Sequence, residues 1–118
     1  MRLNHLDLLS RDVQALAAFF VDHFDFTRVS SDRSPAIAIL RDSGDFTLVV
    51  RKRDTDTPYP EGFHVGFYQA DVAAVHAHHA RLTAAGLQVG PIQASGRGTM
   101  FYLTAPDGIL VEVNAPGR

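Results

Sequence analysis

The sequence predicts an α+β fold made of two copies of one β-α-β-β-β unit. The first ground is a stretch used twice: His5-Leu6-Asp7-Leu8-Leu9-Ser10-Arg11-Asp12-Val13-Gln14-Ala15-Leu16 near the start, and His64-Val65-Gly66-Phe67-Tyr68-Gln69-Ala70-Asp71-Val72-Ala73-Ala74-Val75 in the middle. Both run His, apolar, any, apolar, then Asp-Val-x-Ala-apolar, with the Asp seven positions after the His. A short chain that repeats its own strand-to-helix turn reads as one unit duplicated. The second ground is that the same order of strand and helix patterns follows each copy. The third is that three strands in each unit follow one another through short turns, which excludes a doubly wound parallel sheet.

In the first unit, residues 3–9 alternate loosely and predict a strand, with Asp12 as N-cap of the helix after it. Val13, Leu16, Ala17, Phe20 and Phe24 recur at helical spacing, so the helix is expected over 13–24. Asp25 to Val29 leads into a second strand, Ala36 to Arg41 is a third, and Phe46 to Val50 a fourth, after the hairpin turn Asp42-Ser43-Gly44-Asp45. Arg51-Lys52-Arg53 reads as a solvated strand end. Residues 54–62, with Pro58, Pro60 and Gly62 and no apolar period, read as a linker.

In the second unit, Phe63 to Tyr68 is the fifth strand and Asp71 the N-cap of a helix over 72–85. Val72, Val75, His79 and Leu82 fall on one stripe and Gly86 stops the helix. Leu87 to Ile92 is expected as the sixth strand, Gln93 to Thr99 as a small-residue loop, and Met100 to Thr104 as the seventh strand. The turn Ala105-Pro106-Asp107-Gly108 then leads into a last strand over Ile109 to Asn114. The whole is read as one domain, residues 1–118, in two modules of 1–53 and 63–118 joined by 54–62.

Composition narrows the function. Hydrophobic residues make up 46% and the net charge is −2 with a pI near 6.3, so no basic field points to nucleic acid or an anionic membrane. The absence of cysteine excludes thiolate ligands, a cysteine nucleophile and disulfides. No apolar run approaches the roughly 20 residues that span a bilayer. The opening Met1-Arg2-Leu3-Asn4 carries no apolar core of signal-peptide length, so a cytoplasmic protein is expected.

Strand parity singles out the residues with chemistry. His5 shares a face with Leu3, Asp7 and Leu9, and His64 with Gly66 and Tyr68. Glu112 shares a face with Leu110 and Asn114, while Ile109, Val111 and Val113 point the other way. A carboxylate inside Ile109-Leu110-Val111-Glu112-Val113 needs a partner, because an unpaired buried charge is costly. A cation removes that cost, and two imidazoles with one carboxylate leave coordination positions open for catalysis. The plain structural reading of each residue alone is a hydrogen-bonded histidine and a solvated glutamate. His76, His78 and His79 read as helix surface or packing, and His23 as a helix-end residue favoured by the dipole.

Leu3-Asn4-His5-Leu6, Asp12-Val13, Phe63-His64-Val65-Gly66-Phe67, Asp71-Val72, Phe101-Tyr102-Leu103 and Pro106-Asp107-Gly108 with Glu112 four residues on carry a resemblance. Over nearly its whole length the chain resembles the vicinal oxygen chelate superfamily, which includes glyoxalases, bleomycin-resistance proteins and extradiol dioxygenases. The resemblance implies paired βαβββ modules forming a curled eight-stranded mixed sheet around a pocket. It implies His5, His64 and Glu112 as ligands of a divalent metal ion, of which iron, manganese, zinc and nickel all suit this donor set. It implies an enzyme acting on a small oxygen-rich substrate (lyase or isomerase, dioxygenase, or thiol transferase) with the metal as Lewis acid. The alternative is a protein that sequesters an antibiotic or metabolite without chemistry, as bleomycin-resistance members do.

Within that frame Asp7 is the expected catalytic residue, supporting a ligand from behind or transferring a proton, or else a hydrogen-bond anchor. Tyr68 and Tyr102 would shape the substrate, and Arg97 and Arg118 would meet an anion unless they are simply solvated. Glyoxalase I enzymes commonly add a ligand on the fourth strand, and Phe46-Thr47-Leu48-Val49-Val50 has none. Three ligands match the dioxygenases and the fosfomycin-inactivating thiol transferases, although few residues follow Glu112 to form the anion-binding tail of the latter. Similar small members pair as homodimers, some with modules exchanged, so a homodimer is expected.

Overall fold

The computed structural model describes residues 1–117 and divides into two compact units, Met1–Pro58 and Tyr59–Arg118. Unit 1 contains β1 (His5–Ser10), α1 (Val13–Phe24), β2 (Thr27–Arg28), β3 (Ile37–Arg41) and β4 (Thr47–Lys52). Its mixed sheet has the order β1-β4-β3-β2, with β1 parallel to β4 and the other pairs antiparallel. The parallel pairing follows from connectivity. The chain leaves β1 through a helix and returns through two hairpin-linked strands, so β4 enters beside β1 in the same direction.

α1 starts where the sequence places it. The Asp12 carboxylate accepts the Ala15 amide at 3.1 Å, satisfying a helix N–H that has no partner within the helix. Asp25 ends it in the left-handed region, at φ 61°. Val13, Leu16, Ala17, Phe20 and Phe24 are buried, as are Leu8, Ala38, Leu40, Leu48 and Val50 of the sheet. The alternate residues His5, Asp7 and Leu9 of β1 are therefore on the sheet's open face.

Unit 2 repeats the plan with β5 (His64–Tyr68), α2 (Val72–Ala84), β6 (Gln93–Ser95), β7 (Gly98–Thr104) and β8 (Leu110–Ala115). The sheet order is β5-β8-β7-β6, with β5 parallel to β8. Asp71 caps α2 through the Ala74 amide at 2.8 Å. Gly86, at φ 86°, closes it in a Schellman motif, with Leu87 N–H donating to Leu82 O and Gly86 N–H to Thr83 O. Phe101, Leu103, Val111, Val113 and Ala115 form the buried side of the sheet, and Val75, His78 and Leu82 the buried side of the helix.

The observed architecture is thus two four-stranded mixed sheets, each with one helix, an α+β fold. Residues 53–63 hold no helix or strand. Two expectations are corrected. The sixth strand is not Leu87–Ile92: Val89 makes only an isolated bridge to Leu103, and pairing resumes at Gln93–Ser95, inside the stretch expected as a loop. Pro91 has no N–H for the ladder, and Gly90 lies so close to the β7 backbone that an added Cβ would meet Tyr102 O at 2.9 Å. On α2 the buried histidine is His78, not His79. His79 stands at the flank, where Nε2 donates to Gly90 O at 2.9 Å and the ring edges onto Phe101. Among the described residues no helix is long and apolar enough to cross a membrane.

Candidate functional site

The open face of the unit 2 sheet carries the densest set of chemically useful side chains. The turn Pro106-Asp107-Gly108 builds it: Asp107 and Gly108 take positive φ, and the Ala105 amide donates to Ile109 O at 2.8 Å. This fixes the hairpin register that pairs Tyr102 with Glu112. The parallel pairing on the other side sets Gly66 opposite Glu112, His64 opposite Leu110 and Tyr68 opposite Asn114. His64 and Glu112 are therefore diagonal neighbours on one face, within reach of long side chains.

They do meet. His64 Nε2 lies 3.7 Å from Glu112 Oε1, and the Glu112 side chain is only 14% exposed. His64 Nδ1 is 2.9 Å from the Gly62 carbonyl, an acceptor only, so Nδ1 carries the hydrogen and donates. In the neutral ring this leaves the Nε2 lone pair aimed at a carboxylate. Two electron-rich groups held so close call for a proton or a cation between them. The tautomer is the one a metal-bound imidazole takes when its other nitrogen donates to a carbonyl. Ligands bound at about 2.1 Å across a tetrahedral angle stand roughly 3.4 Å apart, close to the spacing seen.

Glu112 has further partners. Its Oε2 accepts from Asn114 Nδ2 at 2.8 Å. It also accepts from the Tyr102 hydroxyl, which raises the phenol's pKa above its ordinary value. Burial and the Glu112 charge push it the same way. The Tyr102 ring meets the His64 imidazole edge-on at 6.2 Å. Tyr68 is 71% exposed on the same face. Phe101 is wholly buried in the core.

Unit 1 presents the matching histidine in the matching state. His5 is exposed on β1, and its Nδ1 lies 2.8 Å from Asn4 Oδ1, which again leaves Nε2 as the free acceptor. The Asp7 carboxylate is held by Arg51, whose Nε lies 3.0 and 2.9 Å from its two oxygens. That pairing ties the open-face side chains of β1 and β4 together. The fourth strand's open face shows Thr47, Val49 and Arg51, with no carboxylate or imidazole. Among the described residues, no group of three His, Asp or Glu side chains is placed to hold a metal ion.

Arg97 sits at the exposed tip between β6 and β7, in a hairpin and not in an open loop. Arg118 lies outside the described residues. Asn114 and the Gly62 carbonyl were not singled out by sequence reasoning. Asn114 had a signal, since it falls two residues after Glu112 on the same strand face. A backbone carbonyl has none.

A family model for the Glyoxalase/Bleomycin resistance protein/Dioxygenase superfamily matches residues 2–113. Among solved structures, a possible glyoxalase from Bacillus cereus is 34% identical, covers 97% of this chain and 98% of its own, and superimposes with a TM-score of 0.84. Lactoylglutathione lyase from Agrobacterium tumefaciens is 22% identical over 97% of this chain and 92% of its own, with a TM-score of 0.79. The fosfomycin resistance protein FosX from Listeria monocytogenes, in a mutant complexed with Mn(II) and dihydroxypropylphosphonic acid, is 19% identical over 98% and 92%, with a TM-score of 0.78. The last two likenesses are of fold. Comparison with curated proteins gives no match.

Proposed function

The chain belongs to the Glyoxalase/Bleomycin resistance protein/Dioxygenase superfamily, and from that premise we propose that it is a divalent-metal-dependent enzyme acting on a small oxygen-rich substrate. The observation that carries this reading is the His64–Glu112 pair: an imidazole fixed through Nδ1, its Nε2 set 3.7 Å from a carboxylate oxygen. His5, held in the same tautomer at the matching place of unit 1, is the third proposed ligand. A bound divalent ion supplies Lewis acidity to a substrate oxygen. The protein's own part is to hold His64 and Glu112 in place and to present Tyr102 and Tyr68 to the substrate. Asp7, tied to Arg51, serves in this reading to brace the strand that carries His5. The superfamily takes in glyoxalases, bleomycin resistance proteins and dioxygenases, so the fold alone does not choose among their chemistries.

The test is elemental analysis of the purified protein beside Glu112→Ala. Near-stoichiometric divalent metal in the parent and its loss in the variant are expected. Equal metal in both, or none in either, removes the reading. One observation favours a second reading, ligand sequestration without chemistry: Tyr68 offers a largely exposed aromatic face beside Tyr102. Metal-independent binding of a flat aromatic ligand, abolished by Tyr68→Ala, would mark it.

A further inference from the structure

We propose that Asn114 is a positioning residue that makes Glu112 a one-oxygen ligand. The inference rests on the metal reading of the His64–Glu112 pair. It starts from three rows across the open face of the unit 2 sheet. His64 and Leu110 form one row, Gly66, Glu112 and Tyr102 the next, and Tyr68, Asn114 and Met100 the third. Glu112 thus stands between His64 on one side and Asn114 on the other.

Its two oxygens divide accordingly. Oε2 turns to Asn114 Nδ2 at 2.8 Å, and Oε1 faces His64 Nε2 at 3.7 Å. An ionised carboxylate only accepts, so the Asn114 atom against it is the NH₂. Across the sheet, Gly66 gives the carboxylate no side chain to lean on. The space above Gly66 is open enough that an added Cβ would only touch Asn114 Nδ2, at 3.8 Å. Support from the β5 side is therefore missing; the Tyr102 hydroxyl bonds the carboxylate from β7, and Asn114 holds Oε2 along its own strand.

The chemical consequence concerns denticity. A carboxylate free to rotate can chelate a cation through both oxygens and take up two positions. With Oε2 engaged by an N–H donor, Glu112 offers Oε1 alone and leaves one more position for substrate. Asn114 touches neither the proposed ion nor the substrate; it acts through Glu112.

The experiment is a Co(II) titration of the metal-free full-length protein, read by equilibrium affinity and by the visible ligand-field spectrum. It compares the parent with Asn114→Leu, Asn114→Ala, Asn114→Gln and Glu112→Ala. Thermal melting of each metal-free variant reports on folding, and the pair of donor-free variants guards against one failing to fold. Expected is a roughly 10- to 100-fold loss of affinity in Asn114→Leu and Asn114→Ala, the scale typical for groups that orient a ligand. A changed spectrum should accompany it, and Asn114→Gln, which keeps a carboxamide donor, should recover most of both. Parent-like affinity and spectrum in both donor-free variants, while Glu112→Ala loses Co(II), overturns the positioning role and leaves the metal reading standing. A parent that takes up no Co(II), or a Glu112→Ala variant that binds it as well, overturns the metal reading and the denticity claim together.

Discussion

Tyr102 shows what one cross-strand neighbour does to a side chain. Its hydroxyl donates to Glu112, so losing the proton would place a phenolate against a carboxylate and forfeit the bond. The hydrogen bond, burial and the Glu112 charge, in that order, hold its pKa above the ordinary value of about 10. The folded state therefore favours the neutral phenol. The stability this contributes is complete below the unfolded phenol's pKa and is lost as pH climbs through the folded one. Ultraviolet titration of the metal-free protein should show the Tyr102 phenol ionising above the ordinary phenol range. Glu112→Ala should bring it back toward that range, and Tyr102→Phe should remove the late transition. A late tyrosine that persists in Tyr102→Phe would assign the shift elsewhere. At this scale His5, His64 and Glu112 were legible because residue type and strand parity set them on open faces. Asn114 was harder to see, because its part depends on which atom its amide reaches.

Among the elements, helix ends were the most legible and the sixth strand the least. Asp12 and Asp71 precede apolar-periodic runs, and both carboxylates cap as that pattern requires. The sixth strand was misplaced because the apolar run Leu87 to Ile92 contains Pro91, which has no N–H to continue the contact that Gly90 makes with Tyr102 O, whereas the polar Gln93-Ala94-Ser95 pairs with β7. Apolar pattern could not show this, since β6 is exposed along its length. The hairpin it forms is held by a contact that only a glycine permits. At Gly98, φ is +141° and an added Cβ would lie 2.2 Å from Ala115 O, whereas nothing lies within 4 Å of such an atom at Gly96. Gly98→Ala should cost at least about 1–3 kcal/mol from backbone strain alone, before the clash is counted. Gly96→Ala should change stability far less. Chemical denaturation of the two variants checks this; equal stabilities would mean that β8 and the hairpin part without cost.

At the scale of the whole molecule, duplication sets the plan. Both units run the same order of elements, both pair the first strand parallel to the last, and both hold the opening histidine through Nδ1. Duplication was legible from the repeated His-to-Asp stretch, but whether the histidines of the two copies serve one ion is a question the repeat leaves open. Unit 2 offers two donors, and protein sites for such ions supply three or more. His5 is the proposed third, so a substitution confined to unit 1 should weaken metal binding at a pair in unit 2. His5→Ala should lose more Co(II) affinity than Asn114→Leu, because removing a ligand exceeds the roughly 10- to 100-fold effect of removing a group that orients one. Unchanged affinity in His5→Ala would strike His5 from the site. Where the third donor comes from can then be read by refolding His5→Ala and Glu112→Ala chains together. If one chain supplies all three ligands, every site keeps one defect and no binding returns. If two copies of a symmetric dimer exchange donors, half the dimers are mixed and one of their two sites is intact, so about one quarter of the parent's metal returns.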